Sequence, residues 1–162
     1  MPIDPNDPLV RDILKRLQAL EEERDILRTL YVYAHAHDQA RDDQWVDLFT
    51  DDGVFEARRP GTGRRNTGRD ALQRYRADIA QGRRSEARMK HLMTAPLIEV
   101  DGEEATVEAY FCVVNNEGEA AGPKLFSFGR YFDRLAKEDG RWRFKERIVD
   151  GESYAANAAS SQ

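Results

Sequence analysis

The chain has 162 residues, the size of one domain with room for a core and a pocket; 40% are hydrophobic, 34% are charged, and the formal net charge is -5. This describes a globular protein with a charged surface and argues against one built as a whole to bind nucleic acid. The single cysteine, Cys112, excludes an internal disulfide and fits a reducing compartment; no apolar run approaches membrane-spanning length, and MPIDPNDP does not read as a signal peptide. A cytoplasmic protein is expected, with contact to neither membrane nor nucleic acid.

Residues 1–8 are proline-punctuated and read as a flexible lead-in; 9–150 read as one domain and 151–162 as an extension. Asp7-Pro8 is a helix start, since Asp caps free amides and proline suits the first helical position. Helical periodicity then runs through Leu9, Ile13, Leu17, Leu20, Leu27, Leu30, Tyr31 and Ala34. The charged run Glu21 to Asp25 reads either as a bend or as one solvated turn. This helix ends in a cluster of ionisable side chains, Tyr31, Tyr33, His35, His37 and Asp38.

A second helix is predicted over Asp43 to Phe49, with Trp45, Val46, Leu48 and Phe49 as its apolar face. A turn at Asp51-Asp52-Gly53 and a first strand from Gly53 follow. Residues 58–68 read as a loop; its Gly61-x-Gly63 lacks phosphate-loop spacing. A third helix runs from Thr67 or Asp70 through Leu72, Tyr75 and Ile79 to Gly82. From Arg58 to Lys90 the net charge is +8. That segment reads as a solvated basic face, or as a surface for an anionic ligand, an acidic partner or RNA; its sparse aromatic residues weigh against RNA.

The period then changes. Strands are predicted over Arg88 to Val100, Ala105 to Asn115, Leu125 to Ala136 and Arg141 to Val149. Hairpin turns fall at Asp101-Gly102 and Glu138-Asp139-Gly140, with a longer connection over 116–123. Three helices and one strand followed by four antiparallel strands predict an α+β fold, its helices packed on one side of a strongly curved sheet.

A carboxylate at the end of a mostly apolar helix face needs a partner, and His91 is the histidine outside the first cluster. His91 alternates with Met89 and Met93, so the three share one strand face. An imidazole serves as a base near neutral pH, and a carboxylate on one ring N–H fixes its tautomer. His35-x-His37 does not read as a metal site, because helical residues two apart point about 200° apart; neither metal nor organic cofactor is expected.

The pattern YxYAxAxD, then DxWxxLFxDDGVF, GRDAL, a strand His, VDGEEA and GRYFDRL…DGRWRFKER resembles the SnoaL-like branch of the nuclear transport factor 2-like superfamily, over Leu17 to Val149. The resemblance implies a cystatin-like cone, a bent sheet around a deep pocket closed by helices, and an Asp–His dyad at Asp38 and His91, with Tyr33 beside it. It implies a cofactor-independent lyase or isomerase, most simply a dehydratase, acting on a hydrophobic cyclic substrate such as a steroid, polyketide or aromatic catabolite. Some members carry an Asp on the next strand where this chain places Val114, with Asn115 and Asn116 beyond. Ring-hydroxylating dioxygenase β subunits share the fold without catalysis, so a binding or subunit protein is the alternative. Candidate pocket residues are Tyr31, His35, Met89, Met93, Phe111, Val114, Phe128 and Arg130. Apolar side chains on both faces of the strand around Thr106 to Val114 predict a homo-oligomer, a dimer or trimer.

Overall fold

The computed structural model describes residues 4–58, 63–82, 88–116 and 122–152. The start of the lead-in, Gly61, most of the 116–123 connection and the extension beyond 152 lie outside the described residues. The elements are α1 (Pro8–Asp38), α2 (Asp42–Val46), β1 (Phe49–Arg58), β2 (Arg64–Thr67), α3 (Arg69–Gly82), β3 (Arg88–Asp101), β4 (Glu104–Asn116), β5 (Lys124–Glu138) and β6 (Arg141–Gly151). They form one curved, unclosed six-stranded sheet in the order β2-β1-β6-β5-β4-β3, with helices packed against it. β1 and β6 run parallel; the other neighbours are antiparallel.

The α1 start follows its sequence signal: the Asp7 carboxylate accepts from the Leu9 amide at 2.8 Å, with Pro8 in the first turn. The charged run at 21–25 makes no bend. It is a solvated stretch of one 31-residue helix, and Glu22 within it reaches back to the sheet, meeting Lys137 Nζ at 2.6 Å and Trp142 Nε1 at 2.8 Å. Two turns later, Thr29 Oγ1 donates to the Trp142 carbonyl at 2.9 Å. Ile26, Leu30, Tyr33 and Ala36 are buried below these anchors.

Two boundaries differ from expectation. α2 stops at Val46, and Phe49 begins a strand. The expected turn at 51–53 lies inside β1 as an irregularity: Phe49 pairs with Phe144 and Val54 with Glu146, so the chain swells outward and exposes Asp51 and Asp52. Gly53 closes this swelling, because a Cβ there would stand 2.9 Å from both Phe49 Cβ and the Thr50 carbonyl. The expected loop also contains β2, which pairs with β1 from Val54 to Ala57.

The hairpins agree with their turn residues. Gly102, Asp139 and Gly140 adopt positive φ at the β3–β4 and β5–β6 turns. Irregularities at Thr94/Leu97, Val113/Val114 and Arg134/Leu135 interrupt the ladders, the first at Ala95-Pro96, where Ala95 has φ 51°. Such interruptions bend and twist a sheet. The core lies on the inner face, where Val107, Ala109, Phe111, Val113, Tyr131, Leu135 and Phe144 meet the helices with Trp45, Phe49, Phe55 and Leu72.

Among the described residues, arginines of the basic segment are largely committed to carboxylates: Arg64 to Asp78, Arg65 to Glu56 and Glu146, Arg69 to Asp47, and the buried Arg76 to Asp42. Among the described residues, no helix is long and apolar enough to cross a membrane.

Candidate active site

Asp38 is the last residue of α1, at the negative end of the helix dipole, where a carboxylate needs donors from elsewhere. It finds them on β3. As the edge strand, β3 has backbone amides without a strand partner on one side. The His91 amide donates to Asp38 Oδ2 at 3.1 Å, while the His91 ring nitrogen Nδ1 meets Asp38 Oδ1 at 2.6 Å. Both side chains are largely shielded, at 8% exposure for Asp38 and 13% for His91. With Nδ1–H directed at the carboxylate, the neutral ring presents Nε2 as its basic nitrogen, and no group among the described residues hydrogen-bonds that atom. Met89 and Met93 flank His91 on the same half-buried face, as strand alternation requires, with Lys90 and Leu92 turned out.

His37 is the residue that sequence reasoning left out of the site. Its ring lies 4.1 Å from the His91 ring, centroid to centroid, at 53°. His37, Asp38 and His91 bring three potential ligand atoms within 4.8 Å of one another. The argument against His35-x-His37 holds for that pair, but His37 meets a histidine from β3 instead. His35 is exposed, on the other side of the helix, 3.4 Å from Gln39 Nε2. Both oxygens of Asp38 are already engaged by His91.

Tyr33 lies five residues before Asp38, so an undistorted helix turns it about 140° away, into the core. It is 3% exposed, against Trp45, Tyr131 and Phe144, with its ring 6.3 Å from His37. Burial holds its phenol, and that of Tyr131, well above the usual range, so both remain protonated donors. Tyr31 does share the helical side of Asp38, but two turns away it stands 52% exposed, outside the site.

Strand parity corrects three more candidates. Phe111 is buried and stacked on Tyr131 at 4.6 Å, so Val113 and Asn115 share its inward side and Val114 points outward. Asn115, paired in register with Met89, is buried on that inward side. On β5 the inward set is Ser127, Gly129, Tyr131 and Asp133, which leaves Phe128 and Arg130 on the outer face; Arg130 meets Glu152 at 2.8 Å. Gly129 permits this arrangement, because a Cβ would stand 2.0 Å from the Asp150 carbonyl.

Below the site lies a buried ion pair that the sequence reading did not find. Arg147 and Asp133 are both fully buried and joined bidentately, Nε to Oδ1 at 2.9 Å and Nη2 to Oδ2 at 3.0 Å. The guanidinium carbon sits 3.9 Å from the Tyr33 ring centroid, 4.1 Å from Tyr131 and 4.4 Å from Phe144. Nη1 has no hydrogen-bond acceptor among the described residues, and the π faces supply the compensating field. Burial pushes the Asp133 carboxyl up to about 6, against the opposing pull of Arg147.

Comparison with known proteins agrees with this architecture. The chain is similar to the Mycobacterium tuberculosis protein Rv3472, of unknown function, at 31% identity over 86% of this chain and 77% of that one, with a TM-score of 0.73. It is similar to a protein of Novosphingobium aromaticivorans described as a candidate scytalone dehydratase, at 27% identity over 82% and 85% of the two chains, with a TM-score of 0.67. From the same organism, a β subunit assigned to an aromatic-ring-hydroxylating dioxygenase shares the fold, at 22% identity over 83% and 92% and a TM-score of 0.70. No curated protein matches. The family model of the SnoaL-like domain matches residues 18–148, and the chain belongs to that family.

Proposed function

We propose that this chain is a cofactor-independent lyase or isomerase, most simply a dehydratase, acting in the cytoplasm on a hydrophobic cyclic substrate such as a steroid, polyketide or aromatic catabolite. The observation that carries the reading is the two-point hold of Asp38 on His91, which orients the ring and supports Nε2 as the base. The apolar surroundings, Met89, Met93, Phe111 and Val113, support an apolar substrate.

In the elimination, Nε2 takes a proton from carbon α to a carbonyl. The C–H electron pair becomes the new double bond as the C–O bond breaks, and Asp38 stabilises the imidazolium. The departing hydroxide leaves as water with a proton from His37 or with the one returned by His91. The scheme needs no metal: a cation at these residues would have to take a carboxylate oxygen that His91 already holds.

A ligand screen by thermal shift against cyclic enones, hydroxysteroids and polyketides identifies binders, which are then assayed for turnover. His91→Ala is expected to lower turnover by about two to four orders of magnitude. Compounds that bind but never turn over, or that turn over equally well with His91→Ala, would leave the second reading. In that reading Asp38 simply satisfies the edge amide of β3 in a binding or subunit protein, which the 3.1 Å backbone contact favours.

A further inference from the structure

His37 and His91 come from different elements, the last turn of α1 and the edge strand β3, yet their rings meet at 4.1 Å. Asp38 and His91 can run the elimination by themselves, which leaves the close approach of a second imidazole to be explained. Three features of the pair favour a cation between them. Both rings stand at the negative end of the dipole of a 31-residue helix, and the shielded carboxylate of Asp38 adds a full charge there. Nδ1 of His91 is tied to that carboxylate at 2.6 Å, the outer partner that a metal-bound imidazole ordinarily has, and Nε2 is thereby left to coordinate. Two nitrogens on one tetrahedral Zn²⁺ stand about 3.4 Å apart, a separation that ring centroids at 4.1 Å allow.

We propose that these two imidazoles form a reversible site for a transition-metal ion of the Zn²⁺ class, held by His37 and by Nε2 of His91, with Asp38 as the outer partner of His91. Used as a three-ligand set, His37, Asp38 and His91 would have to give up the bond between Asp38 and His91. Used as a two-imidazole set, they keep it, and the carboxylate that orients the base also strengthens its hold on the cation. Ligand chemistry sets the class of ion. Imidazole nitrogen suits Zn²⁺, Cu²⁺ and Ni²⁺, whereas Mg²⁺ and Ca²⁺ demand oxygen, and the flanking Met89 and Met93 add thioethers rather than hard oxygens. Ligand number sets the consequence. A resident zinc is held by three or four protein side chains; two imidazoles, completed by water, hold it loosely enough to exchange. The ion coordinates through the same nitrogen that takes the proton in the elimination, so while bound it silences the base and acts as an inhibitor, not as a cofactor. That inhibition rests on the lyase reading; the site itself does not.

Calorimetric titration of Zn²⁺ into the untagged full chain near neutral pH, where an ordinary imidazole is largely unprotonated, is expected to show one ion per chain and a raised Tm, with neither effect from Mg²⁺. His37→Phe and His91→Gln should each abolish saturable binding while circular dichroism shows the fold retained. Asp38→Asn should weaken binding roughly 10- to 100-fold. His35→Ala should leave it unchanged, since His35 is exposed on the other side of the helix. The effect on the base can be read without a substrate. Diethyl pyrocarbonate acylates an imidazole nitrogen that carries an uncommitted lone pair. Mass spectrometry should show Zn²⁺ protecting His37 and His91 from it, and EDTA restoring the reaction, while His35 reacts at an unchanged rate as the internal control. Three results would overturn the proposal: no saturable binding up to millimolar Zn²⁺, binding that survives loss of either His37 or His91, or a His91 that reacts equally fast with and without the ion. Turnover of any compound found by the screen should fall as Zn²⁺ is added; a rise would make the ion a cofactor and overturn the inhibitory role. A chain that binds Zn²⁺ in this way yet turns nothing over keeps the site and loses the lyase reading.

Discussion

Two buried or nearly buried carboxylates of this chain, Asp133 and Asp38, differ in what surrounds them. Asp133 and Arg147 lie on adjacent strands with no exposure, both carboxylate oxygens bonded to the guanidinium and three aromatic rings around it. Asp38 and His91 join a helix end to an edge strand and retain slight exposure, and one ring nitrogen is left over after the carboxylate is satisfied. In the first pair nearly every donor is spent on holding the fold. The second holds its imidazole as firmly yet keeps Nε2 in reserve. A pair organised for chemistry is recognised by the group it leaves unspent.

The largest effect expected from breaking this contrast lies in the buried pair. Arg147→Met strands the Asp133 carboxylate and should cost about 3–5 kcal/mol, a fall in Tm of roughly 10 °C or more. Asp133→Leu combined with Arg147→Met should recover most of it, because two apolar residues leave no uncompensated charge. A single variant that melts like the wild type would erase the distinction.

At the open pair the expected loss is in rate. His91→Ala and Asp38→Asn should each lower turnover by about two to four orders of magnitude while costing about 1 kcal/mol of stability. Their double variant should be scarcely worse than either single one, since the two residues act as a unit. Variants that melt far below wild type yet turn over normally per folded molecule would make this pair structural too.

His37→Phe tests how far the site extends. It keeps a ring against His91 and removes the second imidazole, so turnover should fall roughly tenfold or more if His37 transfers a proton. Unchanged turnover would return it to packing.

The smallest effect is a difference of sign with pH. Asp133 has a raised pKa in the fold, about 6 against an ordinary 3.8. The folded state therefore binds its proton more readily, and this contribution to stability is present at low pH and lost as pH rises through that window. Glu22 has a lowered pKa, chiefly through its bond to Lys137; its contribution is present above about 4.5 and lost as pH falls below. Tm measured from pH 7 down to 3 should hold to about pH 5 and then decline, and Glu22→Gln should flatten the lower part of the decline. A steeper decline in Glu22→Gln would reverse the assigned sign.

Local signals in the sequence determined a good deal. Asp7-Pro8 begins a helix, Asp101-Gly102 and Asp139-Gly140 make tight turns, and alternation around His91 places Met89 and Met93 beside it, because each depends only on neighbours along the chain. The remote pair Asp38–His91 was also legible, since a carboxylate ending a helix needs a donor and few candidates exist. Parity already separated Val114 from Phe111, but nothing local chose between the two faces of β5, and both sides of that strand carry aromatic residues.

Tertiary structure alone decided the rest, through irregular register. Counting back from the Asp139-Gly140 turn pairs Leu135 with Phe144, and the same regular count would pair Asp133 with Glu146. The irregularity at Arg134/Leu135 shifts the ladder by one residue and brings Arg147 opposite Asp133 instead. A one-residue slip exchanges a like-charge contact for a buried ion pair. Its position depends on how the whole sheet bends over the helices, which no local pattern of residues encodes.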